Sequence, residues 1–329
     1  MAMKLSFNPQ NFKGYDALPL KAIHLEESTS DPINDEMKKI AQQEGFKLRY
    51  GLDYIKWTQD FKAIIEKNGQ PLLIANTRVD KNYLDEVERR YNIPTTQKYH
   101  IATGGNSFIG KYPNGEKWMM IGTDELLSKS YSYISEEYGI KKENIIPIPQ
   151  NYYHLDMFMR PIGFPYVLVN NPALANQKLR EMDWKKAPYD HIKFTKKFAN
   201  FETKRSQNYA SQKSVIEALK KSGFVPIEIA GVFGPGVNFM NAIVNKHSDG
   251  TISYITNSSK CKSEIITNLE KEFEKELRSK VPNIDMIYFV QGDESYKTET
   301  LNYLTDNLEH RGGGLHCMAM EEPNFKAWA

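Results

Sequence analysis

Cysteine is nearly absent from this chain: its 329 residues include two, Cys261 and Cys317. Two thiols cannot build a disulfide framework, which excludes a small stapled scaffold and fits either a reducing compartment or a chain that uses a thiol in its chemistry. Long apolar runs are missing too. No stretch approaches the ~18 residues of a membrane-spanning helix, and no apolar core of signal-peptide length follows the N-terminus, so a cytoplasmic protein with no membrane partner is expected. Charge of one sign is not in excess. The 43 Lys plus Arg against 41 Asp plus Glu leave +2, too little for a global field that selects nucleic acid or an anionic surface. The 20 glycines and 16 prolines are spread along the chain, which excludes collagen-like and wholly disordered readings and leaves no linker to divide it. There is no Cys-x-x-Cys, no His-Glu-x-x-His and no EF-hand loop, so no metal is expected. No Walker loop or dinucleotide fingerprint occurs. The tract Gly231-Val232-Phe233-Gly234-Pro235-Gly236 lacks the P-loop lysine and places a proline where a phosphate cradle needs free amides. The Gly-x-Ser-x-Gly elbow of serine hydrolases is also absent.

What the chain does contain is an alternation of two periodicities. Short β-rich apolar runs at 71–75, 118–122, 166–170, 225–230, 238–244, 251–256 and 286–291 read as strands. Between them, amphipathic patterns at 33–44, 61–67, 81–91, 124–138, 173–182, 214–222, 262–280 and 298–308 read as helices. Alternation from end to end predicts an α/β fold in one domain over 1–329. The segment 184–207 stands apart: seven Lys and Arg with Tyr189, Phe194, Phe198 and Phe201 interleaved. It could be an electrostatic footprint for an acidic partner, but a basic helical insertion near 184–212, with its aromatics packed on the body, is the expected form.

Four short stretches carry residue types suited to chemistry. In Trp57-Thr58-Gln59-Asp60-Phe61 an acid precedes an apolar run, where Asp also serves as an ordinary helix cap. In Tyr153-His154-Leu155-Asp156 an extended backbone would put His154 and Asp156 on one face, as a catalytic pair or as a structural hydrogen bond. Near the end, Arg311-Gly312-Gly313-Gly314-Leu315-His316-Cys317 places a cysteine after glycines that let the main chain bend or approach something closely. Most lone cysteines are small buried apolar residues, whereas a nucleophilic one needs a thiolate-supporting setting. On a strand His316 would face away from Cys317, which makes His154 the better base. The fourth, Ala102-Thr103-Gly104-Gly105-Asn106-Ser107, has the composition of a plain turn.

In order and spacing, these stretches resemble the guanidine-modifying enzymes of the pentein superfamily. Trp57-Thr58-Gln59-Asp60 is similar to the tryptophan-led aspartate motif of protein-arginine deiminases. His154-Leu155-Asp156 matches the family's His-x-Asp. The tract 312–317, with Pro323 downstream, looks like the Gly-Gly-x-x-His-Cys ending of agmatine deiminases, and Val237-Asn238-Phe239 resembles a strand that precedes it. The likeness runs from Trp57 to Pro323. It implies a five-bladed α/β propeller of ββαβ units. One position departs: Thr103 stands where arginine and agmatine deiminases usually carry an acid that orients the histidine.

The resemblance implies a cysteine-dependent deiminase. Asp60 and Asp156 would grip the planar, forked guanidinium, Cys317 would attack its carbon, and His154 would move the protons. Trp57, Gly314 and Asn106 would complete the substrate site. No cofactor is needed. The partner would be a small or peptidyl guanidino substrate such as arginine, peptidyl arginine or agmatine, and nucleic acid is not expected. The same residues could pass an amidino group to an amine, making an amidinotransferase, and a non-catalytic binding module on this fold is the alternative from another class.

Overall fold

The strongest local instruction in the first third of the chain is Asn68-Gly69. Both residues adopt positive φ, +54° and +77°, which suits the tight hairpin turn that this dipeptide favours. It joins β3 (Lys62–Lys67) to β4 (Gln70–Asn76) in antiparallel register, Ile64 opposite Leu73. Residues 61–67 are therefore a strand and not the helix that their apolar pattern suggested, because β-branched Ile64 and Ile65 and the turn outweigh a short helical period. The computed structural model describes residues 19–26, 32–51, 58–99, 101–127, 130–182, 188–233, 237–258, 264–290 and 314–328.

After the hairpin the chain crosses through α3 (Lys81–Tyr91) and returns as β5 (Thr95–Lys98), parallel to β4. The helix is capped at both ends: Asp80 accepts from the Asn82 amide, and Asn92 closes it in the left-handed conformation. This hairpin, helix and parallel strand recurs. A third unit is β6 (Ser107–Lys111), β7 (Lys117–Gly122), α4 (Thr123–Leu127), α5 (Tyr131–Tyr138) and β8 (Ile145–Ile148). The single helix expected over 124–138 is thus two, with Ser130 capping the second.

A fourth unit is β9 (Met159–Gly163), β10 (Tyr166–Asn170), α6 (Pro172–Glu181), α7 (Pro188–Asn208), α8 (Gln212–Lys221) and β11 (Val225–Ile229). Here α7 is the helix of the basic segment. It buries Phe198 in the core, and its Arg205 pairs with Glu202. The fifth unit is β12 (Ala242–Lys246), β13 (Ile252–Asn257), α9 (Glu264–Lys280) and β14 (Ile284–Val290). The strand expected to begin at 238 begins at Ala242, because Asn238 accepts from the amides of Met240 and Asn241 and bends the chain first. The helix expected over 298–308 lies outside the described residues.

The first unit closes the series. β1 (Leu20–Glu26) runs parallel to β2 (Lys47–Gly51) across α1 (Pro32–Glu44), but its antiparallel neighbour is β15 (Met320–Pro323), the last strand of the chain. Among the described residues, five three-stranded sheets result. Each apolar core is shared by consecutive units: two with three, three with four, four with five, five with one, and Met320 of β15 with unit two. The middle strands are buried on both faces, as in β7 and β13, and each fully buried Leu, Ile or Val there contributes about 1.5–3 kcal/mol.

This arrangement decides where the chemistry sits. The short segment leading into the first strand of each hairpin lies at the inner end of its unit. These are α2 (Thr58–Phe61) before β3, the 3-10 turn Gly104–Asn106 before β6, the turn Leu155–Met157 before β9, Asn238 to Asn241 before β12, and α10 (Leu315–Met318) before β15. Contacts between α10 and α2, between α2 and the 104–106 turn, and between the two turns join them into one cluster.

Candidate active site

The centre of the cluster is Asp156, which is fully buried. Its Oδ2 accepts from the Cys317 thiol at 3.0 Å and from His316 Nδ1 at 2.9 Å. Its Oδ1 has no partner among the described residues. A neutral imidazole has one donor and one acceptor nitrogen. With Nδ1–H given to Asp156, His316 Nε2 is left to accept from Gln59 Nε2 at 2.9 Å. Burial, with the charge of Arg160 adding to it, holds His316 well below the usual histidine range.

Cys317 stands on α10, a single turn held in place by two asparagines. Asn241 Oδ1 accepts from the His316 amide at 2.8 Å and Asn257 Oδ1 from the Leu315 amide at 2.6 Å. Asn241 Nδ2 also reaches the Cys317 sulfur at 3.2 Å. Burial and the carboxylates Asp156 and Asp60 push the thiol well above its ordinary pKa, favouring the protonated form.

Asp60 and His154 form the outer half. Asp60 Oδ1 lies 3.9 Å from His154 Nδ1, with no hydrogen bond between them. Desolvation first and the charge of Glu125 second raise Asp60 to about 7, and desolvation raises Asp156 to about 7. His154 is lowered to about 4 by burial, with Glu125 opposing the shift. Gly105 makes the assembly possible, since a Cβ there would lie 2.7 Å from His154 Nδ1 and 3.1 Å from Asp156 Oδ2. Tyr153 stacks on the His154 ring at 4.7 Å, and its buried hydroxyl is unpartnered among the described residues. Outward from Asp60 a cavity of about 410 Å³ is lined by Arg78, Tyr99, Thr103 and Glu125 among others, and Tyr99 is exposed.

The structure thus brings Asp60, His154, Asp156 and Cys317 together, by a different local route from the one expected. Neither motif is a strand. His154 is the extended residue that enters a 3-10 turn, and Asp156 lies inside that turn. Cys317 and His316 share a helical turn, about 100° apart, so both reach Asp156 and the reason for setting His316 aside does not hold. Nor does Asp60 cap a long helix, since it lies within one turn that runs into β3. Asn106 abuts Gly122 and reaches Gln150 at 3.4 Å, and Gly314 packs against Asn241 and Asn257. Trp57 and Cys261 lie outside the described residues.

Sequence reading missed Glu125, Gln59, Asn241 and Asn257. Glu125 answers the departure at Thr103: its carboxylate accepts from the Thr103 hydroxyl at 3.1 Å and faces the Thr103 amide at 3.4 Å. An acid is therefore present beside the Gly-Gly turn, delivered by α4. Only the missing acid at 103 could have prompted a search for it. The asparagines had a faint signal in the Val-Asn-Phe-Met-Asn tract.

No family model matches the chain, and no curated protein matches it in sequence. Solved structures do. The fold is the α/β fold of the pentein guanidine-modifying enzymes. Among them, the agmatine deiminase of C. jejuni superposes with a TM-score of 0.57 at 15% identity over 94% of each chain. The agmatine deiminase of Enterococcus faecalis gives 0.52 at 10% identity, covering 97% of this chain and 98% of the other. SxtG, an amidinotransferase from Microseira wollei in the saxitoxin biosynthetic pathway, gives 0.50 at 9% identity over 93% and 96%. Among the described residues no helix is long and apolar enough to cross a membrane.

Proposed function

We propose that this protein is a cysteine-dependent deiminase that hydrolyses a guanidino group to a ureido group and ammonia. One observation carries the reading: Cys317 lies 3.0 Å from Asp156 in a buried site where two carboxylates are pushed up to about 7 and the thiol is pushed up with them. Such a site is short of positive charge. A guanidinium supplies it, with N–H groups for Asp60 and the unpartnered Asp156 Oδ1, and carries an electrophilic carbon to the sulfur. Binding would return both carboxylates to their ionised form and make the thiolate accessible.

In the first half-reaction Cys317 Sγ bonds to the guanidino carbon while His154 takes the thiol proton and passes it to one nitrogen, which leaves as ammonia. A covalent thiouronium remains, still cationic and still held by the carboxylates. In the second, His154 takes a proton from water as its oxygen bonds to the carbon. The C–S bond breaks, the thiol regains a proton, and the remaining proton leaves with ammonia as ammonium. Glu125 takes the part of the acid absent at position 103, favouring the charged form of His154. The five units would stand as a five-bladed propeller in one catalytic domain over 1–329, with arginine, peptidyl arginine or agmatine as the substrate and a reducing, cytoplasmic setting that keeps the thiol free.

The test is an assay for ureido product on arginine, agmatine, dimethylarginine and an arginine peptide, without added amine, alongside Cys317→Ala. Product that vanishes in the variant is the expected outcome. Turnover that requires an amine acceptor would replace the deiminase by an amidinotransferase. No turnover with any substrate or acceptor would sink both.

A further inference from the structure

Gln59 and His316 are members of the cluster to which the chemistry above gives no task. Both are buried, and they come from α2 and α10, 257 positions apart. Gln59 directly precedes Asp60, so one short turn carries both an outer carboxylate and the contact to His316. Gly104 gives the Gln59 side chain its room, since a Cβ there would lie 2.7 Å from Gln59 Cγ. From Gln59 Nε2 the line runs 2.9 Å to His316 Nε2, and from His316 Nδ1 another 2.9 Å to Asp156 Oδ2. The Cys317 thiol donates to that same oxygen at 3.0 Å. Protons can be placed along this line in two ways. With the Gln59 NH2 group facing the ring, Nε2 is bare and Nδ1–H donates to Asp156. With the amide turned, Oε1 faces Nε2 and the ring must carry a proton there. A neutral ring would then present a bare Nδ1, which Asp156 could meet only as a carboxylic acid. A cationic ring would place a charge at 1% exposure, which burial opposes. The other charged groups about the ring are Glu321, Arg160 and His154. Glu321 Oε1 stands 4.0 Å from Nε2, beyond hydrogen-bond reach, and already accepts from Arg160 Nη2 at 2.6 Å. Arg160 and His154 add to burial in opposing a cation on the ring.

We propose that Gln59 is a positioning residue of this site: its amide N–H, donating to His316 Nε2, fixes His316 as the neutral Nδ1–H form, and His316 in turn keeps Asp156 Oδ2 an acceptor. Two donors, Nδ1–H and the thiol, then converge on Oδ2 and favour the ionised carboxylate. A proton is shut out of Nε2, because its lone pair already holds the amide hydrogen. The negative charge of Asp156 is thereby kept for a cationic substrate and is not neutralised by an imidazolium of the protein's own. The tautomer stands apart from the deiminase reading, whereas its effect on turnover rests on that reading.

The first test is nitrogen NMR of the full chain with its seven histidines enriched in nitrogen-15, the His316 signals being those that disappear in His316→Asn. The parent should show a protonated Nδ1 and a bare Nε2 from pH 5 to pH 9. A protonated Nε2 anywhere in that range would overturn the proposal. The second test reverses the polarity at constant shape. Gln59→Glu puts an acceptor at Nε2, so the His316 signal should switch to a protonated Nε2, and the acid limb of kcat/KM should move up by about one pH unit, with the loss in KM more than in kcat. Gln59→Met, of similar bulk and without polar atoms, should move that limb less. Equal limbs in the two variants would mean that Gln59 only fills space, and would also overturn the proposal. Should Gln59→Glu fail to fold, the parent spectrum still decides. A parent with protonated Nε2 and normal turnover would reject the tautomer and keep the deiminase. Absent turnover in every assay would reject the deiminase, and the parent spectrum would then uphold or overturn the tautomer by itself.

Discussion

At the residue scale the candidate site holds carboxylates that burial makes expensive to ionise. Asp60 shows this most simply, because it is desolvated and makes no hydrogen bond through Oδ1. Its folded pKa of about 7 lies above that of an unfolded aspartate near 3.9. Between those values the native state keeps a proton that the unfolded chain has lost, so this residue's contribution to stability falls as pH rises from about 4 to about 7 and is level above. Asp60→Asn should therefore match the parent at pH 4 and exceed it by about 1–3 kcal/mol at pH 8, less than the full shift converts to because the side chain keeps 23% exposure. Denaturant midpoints across that range check it, and equal midpoints at pH 8 would refute it. If, as proposed, the same two carboxylates receive a guanidinium in their ionised form, kcat/KM should fall on the acid side with a midpoint near 7. Cys317→Ser should lose turnover by at least about a thousandfold while melting within a few degrees of the parent, because the smaller hydroxyl keeps the Asp156 contact but is a poorer nucleophile.

At the element scale, legibility followed the strength of local signals. α1, α3, α6, α8 and α9 were readable from their apolar stripes and, in α3, from Asp80 and Asn92 at its ends. β3 was misread because its run Lys62-Ala63-Ile64-Ile65 has no clean period, and the deciding signal was the Asn68-Gly69 turn beyond it. Gly69 tests that account. With φ at +77° and open space around it, a side chain meets no clash but must hold a left-handed backbone. Gly69→Ala should cost about 1–2 kcal/mol, read as a shift in denaturant midpoint, through backbone strain alone. Another misreading, of 315–318 as extended, concerns a single turn too short for any period and held by Asn241 and Asn257 from another unit. Elements of that kind are written in tertiary contacts.

At the scale of the whole molecule the fold depends on joining its two ends. β15 completes the sheet of β1 and β2, and α10 rides in with it, so the cysteine arrives at the site only when the last strand docks. Units five and one are clamped by Glu44 at the end of α1. It accepts from Ser253 Oγ at 2.9 Å, Tyr288 OH at 2.8 Å and Asn245 Nδ2 at 3.0 Å while itself buried. Glu44→Ala would take an acceptor from the buried Ser253 and Asn245 side chains and from the half-buried Tyr288 hydroxyl and should lower stability by about 2–4 kcal/mol. Calorimetry of the variant at neutral pH measures this, and an unchanged melting temperature would mean the clamp is decorative.

By itself the sequence determined the α/β class and the recurrence of strand and helix, and it singled out four residues that the structure brings together, Asp60, His154, Asp156 and Cys317. Those are properties of composition, periodicity and short motifs, and they survive without knowledge of distant contacts. Tertiary structure alone decided that five equivalent segments meet at one point, and that His316 and Cys317 share Asp156. It alone brought Glu125 from α4 to the place left vacant at Thr103. The physical reason is that burial and charge act through space: the shifts at the candidate site come from desolvation and from neighbours as far away in sequence as Asp60 is from Cys317. No local pattern encodes them.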